Sequence, residues 1–305
     1  MTDLIVDANG LYARAWYACK EDAYETVRAS VNAALSLIST ERVGERVDRT
    51  MFCWDGGQKK AKERAERPPE YEGTKPRLKA VLEALLGTTN ARLEGYEADD
   101  LIATAAFLSP ADHVIVASGD KDLHQLQGGT ISYYDLNTRG FISTREILRQ
   151  WNVRRPSHVA IALAVQGDSV DKITGIKGWG PKKVAKLFES ITSDMSFDVV
   201  LRLIEEQIPG DKLAEFQESL ELTLLNSGVP DVPEPNPLRL ARVQELSKYG
   251  LEECEDFYAR VAQQYGRLQT QDRERTAARP LNVAGDIEGQ VSPARRISHH
   301  PHLRV

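Results

Sequence analysis

Val114-Ile115-Val116-Ala117 runs through Ser118-Gly119 into Asp120-Lys121-Asp122. A short apolar run closed by a turn reads as a buried strand, here one that ends at two carboxylates. The same arrangement recurs on either side of it. Leu4-Ile5-Val6 ends at Asp7, and the apolar run from Met51 to Trp54 ends at Asp55. Between these strands lie apolar residues at helical spacing: Val31, Ala34, Leu35 and Ile38; Leu78, Val81, Leu82 and Leu85; Leu101, Ile102 and Ala105. Strand and helix in alternation predict an α/β fold with a central, mostly parallel sheet flanked by helices. Ligands of such sheets bind beyond the carboxyl ends of the strands, so Asp7, Asp55 and Asp120 are expected to converge there.

The whole chain has 305 residues, 39 Lys plus Arg against 45 Asp plus Glu, and a net charge of -6. A length of this order allows about two domains. Cys19, Cys53 and Cys254 are odd in number and widely spaced, which excludes a disulfide framework and a paired-cysteine zinc site and leaves buried thiols. The longest aliphatic run, residues 159–165, falls far short of the roughly 20 residues a membrane span needs. Asp3 and Asp7 stand where a secretory signal would be basic or apolar, so a soluble, cytoplasmic protein that does not enter membranes is expected.

Three regions follow: an α/β domain over 1–142, a helical region over 143–269, and a tail over 270–305. After residue 143 the strands are expected to stop, and helical patterns continue to about residue 226 across a glycine turn at 175–180. Residues 229–237 contain four prolines and read as an extended connector, with one more helix over 252–265. The tail mixes Arg, Gly, Pro and Ser with few large apolar groups and reads as disordered, and its His299, His300 and His302 read as a compositional tract, with metal ligation as the lesser alternative.

Carboxylates supply the strongest chemical signal. Glu97-Ala98-Asp99-Asp100 opens a predicted helix, where acids also suit the helix dipole. Asp120 and Asp122 at a buried strand end repel one another unless something positive lies between them. Asp168 and Asp171 add a further pair. With Asp7 and Asp55 this is an all-oxygen set without histidine or cysteine, of the kind that hard divalent cations such as Mg²⁺ prefer. Two such ions can serve in-line cleavage of a phosphodiester.

Asp7-Ala8-Asn9 with Arg14, Asp55-Gly56, Gly95-Tyr96-Glu97-Ala98-Asp99-Asp100, Asp120-Lys121-Asp122-Leu123 and Gly167-Asp168 through Lys183 resemble, in order and spacing, the successive motifs of the 5′ nucleases. That family comprises the 5′-3′ exonucleases and flap endonucleases of bacteria and phages, and it is similar to the N-terminal domain of bacterial DNA polymerase I. The resemblance covers about residues 3–225. It implies a PIN-like fold in which Asp7, Asp55, Glu97 and Asp99 serve mainly a first Mg²⁺ or Mn²⁺ ion. Asp120, Asp122 and Asp168 would serve a second, with Asp100 and Asp171 as nearby partners.

Residues 59–79 hold eight basic residues against four glutamates. Such mixed charge is the ordinary composition of a solvated helix face. The resemblance implies instead an arch, about 58–80, in which Lys59, Lys60, Arg64, Tyr71 and Lys75 meet DNA and Arg64 assists catalysis. Glu72 departs from the family's lysine after the tyrosine. Gly175-Ile176-Lys177-Gly178-Trp179-Gly180-Pro181-Lys182-Lys183 resembles the turn of a helix-hairpin-helix module, placed within about 160–190. Its Gly178 and Gly180 let backbone approach phosphate, and Lys182 and Lys183 add charge. A plain glycine turn between core helices is the alternative. The resemblance leaves room for a monovalent cation at the hairpin. Tyr12, Trp16 and Tyr17 are expected mostly in the core, with stacking on a terminal base as a second use of Tyr12.

The expected activity is metal-dependent cleavage of DNA at 5′ flaps, nicks and 5′ ends, and of RNA primers, by a monomer in a bacterial or phage-infected cell. A PIN-class ribonuclease and a non-catalytic DNA-binding replication factor are the alternatives.

Overall fold

The computed structural model describes residues 1–57, 67–169 and 171–277. In chain order the first half carries β1 (Thr2–Asp7), α1 (Ala8–Ala18), α2 (Ala23–Ile38), α3 (Thr40–Val43), β2 (Arg49–Cys53), α4 (Pro69–Leu86), β3 (Thr89–Ala91), α5 (Ala98–Leu108), β4 (His113–Ser118), β5 (Ile131–Asp135) and β6 (Gly140–Ile142). There follow α6 (Thr144–Trp151), α7 (Val159–Gln166), α8 (Pro181–Leu187), α9 (Phe197–Glu205), α10 (Gly210–Thr223), β7 (Asn236–Pro237) and α11 (Glu255–Ala277). Met1–Arg267 is one compact unit. Among the described residues no helix is long and apolar enough to cross a membrane.

The sheet runs β3-β2-β1-β4-β5-β6. Its first five strands are parallel, while β6 and the two-residue β7 pair antiparallel with β5 and β2. The chain leaves β1 for β2 and β3 on one side and returns for β4 on the other, which makes β1/β4 the topological switch point. Alternation along each strand fills both faces. Leu4, Val6, Phe52, Ile115 and Ala117 enter one core with residues of α1, α2, α4 and α11. Ile5, Met51, Cys53, Val114 and Val116 enter another with α5. The helical region has its own core, built on α7, whose residues 159–165 are all buried.

Two expectations need correction. The sheet does not end at residue 143, because the proline-rich connector returns as β7 to pair Asn236 with Thr50. Proline can occupy such an edge position, where no inward N–H is demanded of it. Helix α11 also continues past 269 to Ala277, since the Gln, Arg and Glu residues there are good helix formers even without an apolar stripe. Residues 278–305, with the three tail histidines, lie outside the described residues. Cys53 and Cys254 are buried as expected, and Cys19 is half-buried.

Candidate active site

Asp7 ends β1 and caps α1. Its Oδ1 accepts from the Gly10 N–H (2.8 Å) and its Oδ2 from the Ser118 hydroxyl (2.7 Å). Burial, with the nearby charges of Asp120 and Asp55, pushes its pKa up to about 6 against the pull of those two hydrogen bonds. Asp55 lies just past β2, where its Oδ1 accepts from the N–H of Ala98 (3.0 Å). Glu97, the N-cap residue of α5, makes no side-chain cap itself, so an acid from one strand end satisfies a first-turn N–H of the helix that carries Asp99. Backbone contact fixes this pairing. The Gly56 N–H donates to the Tyr96 carbonyl (2.8 Å), and a Cβ at Gly56 would stand 1.7 Å from the Leu93 carbonyl oxygen. Only glycine allows the Asp55-Gly56 and Gly95-Tyr96 turns to meet so closely.

Beyond β4, the Asp120 N–H donates to the Ser118 hydroxyl (3.0 Å) and Asp120 Oδ1 accepts from the Asp122 N–H (2.9 Å). This opens a 3₁₀ turn over Lys121–Leu126. Asp7, Asp55, Asp99 and Asp120 line one cavity of about 460 Å³ together with Tyr71 and the cations Arg67, Lys75 and Arg92. Glu97, 2% exposed, is not among its lining residues.

A second group stands beside it in sequence through Asp122. Asp122, Asp168 and Asp171 each place an oxygen within 4.8 Å of the others. The loop that carries Asp168 and Asp171 closes on itself: Asp168 and Ile173 exchange backbone hydrogen bonds (2.8 and 2.7 Å), and a Cβ at Gly175 would stand 2.3 Å from the Gly167 nitrogen. Lys121 Nζ lies 2.7 Å from Asp168 Oδ2. Asp120 shares the cavity of Asp7, Asp55 and Asp99, and Asp171 is a full member of the second group. Asp100 has an anchoring contact that its expected ligand role did not include, since its Oδ1 accepts from the Asn226 N–H (2.9 Å).

Of the expected DNA contacts, Lys59, Lys60 and Arg64 lie outside the described residues. From Pro69 onward the expected arch is α4, packed into the core through Tyr71, Leu78 and Val81. Tyr71 is 3% exposed, with its ring against Tyr12 (4.8 Å) and Trp16 (5.4 Å). Arg67 and Lys75 lie over that ring at 4.5 and 4.8 Å, so Tyr71 serves as a platform for two cavity cations. Lys75 also pairs with Glu72 (2.7 Å), the residue that departs from the family pattern. Tyr12 is fully buried in the core, as expected, and donates to the Tyr71 carbonyl (2.8 Å), so its ring is not open to a base; Tyr17 is exposed, against the expectation of core. In the hairpin, Gly178 takes the left-handed φ of +80° and Gly180 is extended, leading into α8 with Pro181 as its first residue. Lys182 is exposed, and Lys183 lies over the Trp179 ring at 4.2 Å.

Sequence reasoning missed Arg92 and Ser118. Arg92 donates to the Asp55 carbonyl (3.0 Å) from the carboxyl end of β3, a strand too short to show periodicity.

The profile of the family described as 5′-3′ exonuclease, N-terminal resolvase-like domain, matches residues 2–155, half of the chain. The chain belongs to this family. A 5′-3′ exonuclease of Bacillus subtilis is 26% identical over 279 residues, which are 84% of this chain and 92% of that protein. The thermostable DNA polymerase I of Thermus aquaticus is 28% identical over 238 residues, 72% of this chain and 27% of the polymerase. The chain spans about a tenth to under a third of the DNA polymerase I relatives it matches. Among solved structures, the T5 5′-exonuclease with bound zinc aligns at a TM-score of 0.54 and 20% identity, covering 86% of this chain and 99% of that one. The catalytic core of Rad2 in complex with DNA substrate aligns at 0.58 and 14%, covering 85% and 92%. At these identities the likeness is one of fold.

Proposed function

We propose that this chain is a divalent-metal-dependent 5′ nuclease that hydrolyses phosphodiesters near junctions of single- and double-stranded DNA. The observation that carries the reading is the gathering of Asp7, Asp55, Asp99 and Asp120 at the switch point of the sheet, in one cavity with Arg67, Lys75 and Arg92. An all-oxygen donor set of this kind fits Mg²⁺ or Mn²⁺, and neutral donors alone do not offset the buried charge of Asp7. Asp7, Asp55, Asp99 and Asp120 would hold one ion and Asp122, Asp168 and Asp171 another. Divalent ions bound there would lower the pKa of a water and polarise the phosphoryl oxygens.

The chain's own groups supply the rest. Arg67 and Lys75, fixed on the Tyr71 ring, and Arg92, fixed on the Asp55 carbonyl, present positive charge to a phosphate entering the cavity. Lys121 neutralises Asp168 from the edge of the second group. The hairpin around Gly178 and Gly180, with Lys182 and Lys183, would hold duplex phosphates without reading sequence. DNA bearing 5′ flaps, nicks or 5′ ends is the proposed substrate, with RNA primers as a further one, and the protein acts as a monomer.

The test is cleavage of 5′-labelled flap, nicked duplex, single-stranded DNA and matched RNA, each with Mg²⁺ and with chelator. Flap cleavage that requires Mg²⁺ is expected, and Asp55→Ala or Asp120→Ala should abolish it while DNA binding persists. Cleavage by either variant at more than about a tenth of the parent rate would overturn the assignment. Preference for RNA would favour a ribonuclease.

A further inference from the structure

Helix α1 stands between two cavities. Gly10 and Ala13 line the one that holds the carboxylates, whereas Leu11, Arg14 and Ala18 line a second of about 400 Å³, within the range of small-ligand sites. Four guanidinium groups border this second cavity: Arg14 from α1, Arg28 from α2, Arg42 from α3 and Arg139 from the β5–β6 turn. Among the described residues no carboxylate lines it, in a chain whose net charge is -6. Its remaining wall is largely apolar, with Leu11, Leu136 and Tyr134.

Two of the arginines are already engaged. Arg28 pairs with Glu25 and Glu253, and Arg14 donates to the Asn137 side chain. Arg42 and Arg139 are exposed and form no ion pair among the described residues. Both bear on the same place, since both pull down the pKa of the Tyr134 hydroxyl that burial raises. Arg139 is held there at a conformational cost. Its φ is +57°, a left-handed backbone in a residue with a side chain, and the turn is locked by the Asp135 carboxylate, which accepts from the Asn137 and Thr138 N–H groups and the Thr138 hydroxyl. The same turn reaches the catalytic side, where Asn137 Nδ2 donates to the Gly119 carbonyl (3.0 Å), one residue before Asp120.

Planar guanidiniums are suited to phosphate oxygens, and an apolar wall with an aromatic ring suits a flat heterocycle. We propose that this basic cavity binds a nucleoside 5′-monophosphate, free or as the phosphorylated terminal residue of a strand, with its phosphate among the arginines and its base against the apolar wall. The site is separate from the carboxylates and stands whether or not they cleave DNA.

Calorimetric titration of the full chain in EDTA isolates it, because metal-free carboxylates repel phosphate. The probes are dAMP, deoxyadenosine, inorganic phosphate, and a dideoxyadenylate with and without a 5′-phosphate. Saturable dAMP binding is expected, at least about tenfold tighter than either fragment alone. Arg42→Gln with Arg139→Gln should weaken it at least about tenfold, and so should Ala18→Trp, which fills the cavity and leaves every arginine in place. Thermal midpoints near the parent's would show that the variants are folded. Both source outcomes support the site: a phosphorylated dinucleotide tighter than dAMP assigns the strand end, and one no tighter assigns the free nucleotide. Absence of saturable dAMP binding, inorganic phosphate binding as tightly as dAMP, or folded variants that bind like the parent would each overturn it.

Discussion

Two aspartates sit on β1, four residues apart, at opposite ends of the sheet. Asp3, fully buried, accepts from Arg49 Nε (2.7 Å) and Nη2 (2.5 Å) and from the Ser109 hydroxyl (2.6 Å). Asp7, 6% exposed, accepts from a backbone N–H and a hydroxyl, and its charged neighbours include Asp55 and Asp120. The amino end of the sheet thus neutralises its buried acid with a fixed guanidinium. Among the described residues the carboxyl end gives its acid neutral donors and like-charged neighbours, and burial, with those charges adding to it, raises its pKa to about 6. A fold able to place Arg49 beside Asp3 is able to do the same for Asp7. Among the described residues it does not, which supports the proposal that a divalent cation completes the charge at the switch-point end.

Exchange of each acid for its neutral amide would break that comparison if both behaved alike. Asp7→Asn should slow Mg²⁺-dependent cleavage by more than about a hundredfold, or about 2.7 kcal/mol of barrier. In EDTA the same variant should melt higher than the parent, because a buried like-charge contact is relieved. Asp3→Ala should do the reverse. It leaves half-buried Arg49 without its main partner, a loss of about 1–3 kcal/mol in denaturant titration, with the rate per folded molecule near the parent's. A fall in EDTA stability for Asp7→Asn would mean that Asp7 is structural like Asp3.

The comparison also shows what could be read in advance. Asp7, Asp55 and Asp120 were legible because apolar strands announce their own ends, and parallel sheets bring those ends together. The pairing of Asp168 with Asp171 was legible because both lie on one short loop. Three features had no local signature. β3 has three residues, Arg92 depends on where β3 ends, and the Asp100 contact to Asn226 joins positions 126 residues apart. Pattern in a window reports periodicity and turns, and it is blind to a carboxylate whose partner is a distant backbone N–H.

Titration sharpens the contrast. The Asp7 pKa in the folded chain lies near 6, above the unfolded value of about 3.9, so its contribution to stability is full below about pH 4 and is lost as pH rises through 6. His124, which accepts from Trp151 Nε1 through Nδ1, and His158, packed against Phe188 and Phe197, act in the opposite direction. Burial lowers both to about 4, below the unfolded value of about 6.5, so their neutral forms favour folding at neutral pH and destabilise as pH falls through that interval. The opposing slopes partly cancel in the metal-free parent. In EDTA, Asp7→Asn should therefore gain stability more steeply with rising pH than the parent, and His158→Leu less steeply. Superimposable curves for parent and Asp7→Asn across this range would remove the buried charge from the account.

The smallest effect concerns the positive counterpart of this acidic centre, the hairpin. Lys183 is steadied over Trp179, Lys212 approaches the same ring at 5.8 Å, and Lys182 is exposed at the first turn of α8. Lys182→Ala with Lys183→Ala should weaken binding to all duplex sequences alike, since phosphates carry no base identity. Each lost phosphate contact should lower the slope of log affinity against log salt by about 0.9, so the pair should lower it by up to about 1.8. Cleavage of saturated substrate should hardly change, because neither lysine lines the carboxylate cavity. The contrast with Asp7→Asn is then complete: one variant loses chemistry and keeps binding, the other loses salt-sensitive binding and keeps chemistry. A parent-like slope in the double variant would leave the Gly178 turn as packing between α7 and α8, with Trp179 and its two lysines as surface.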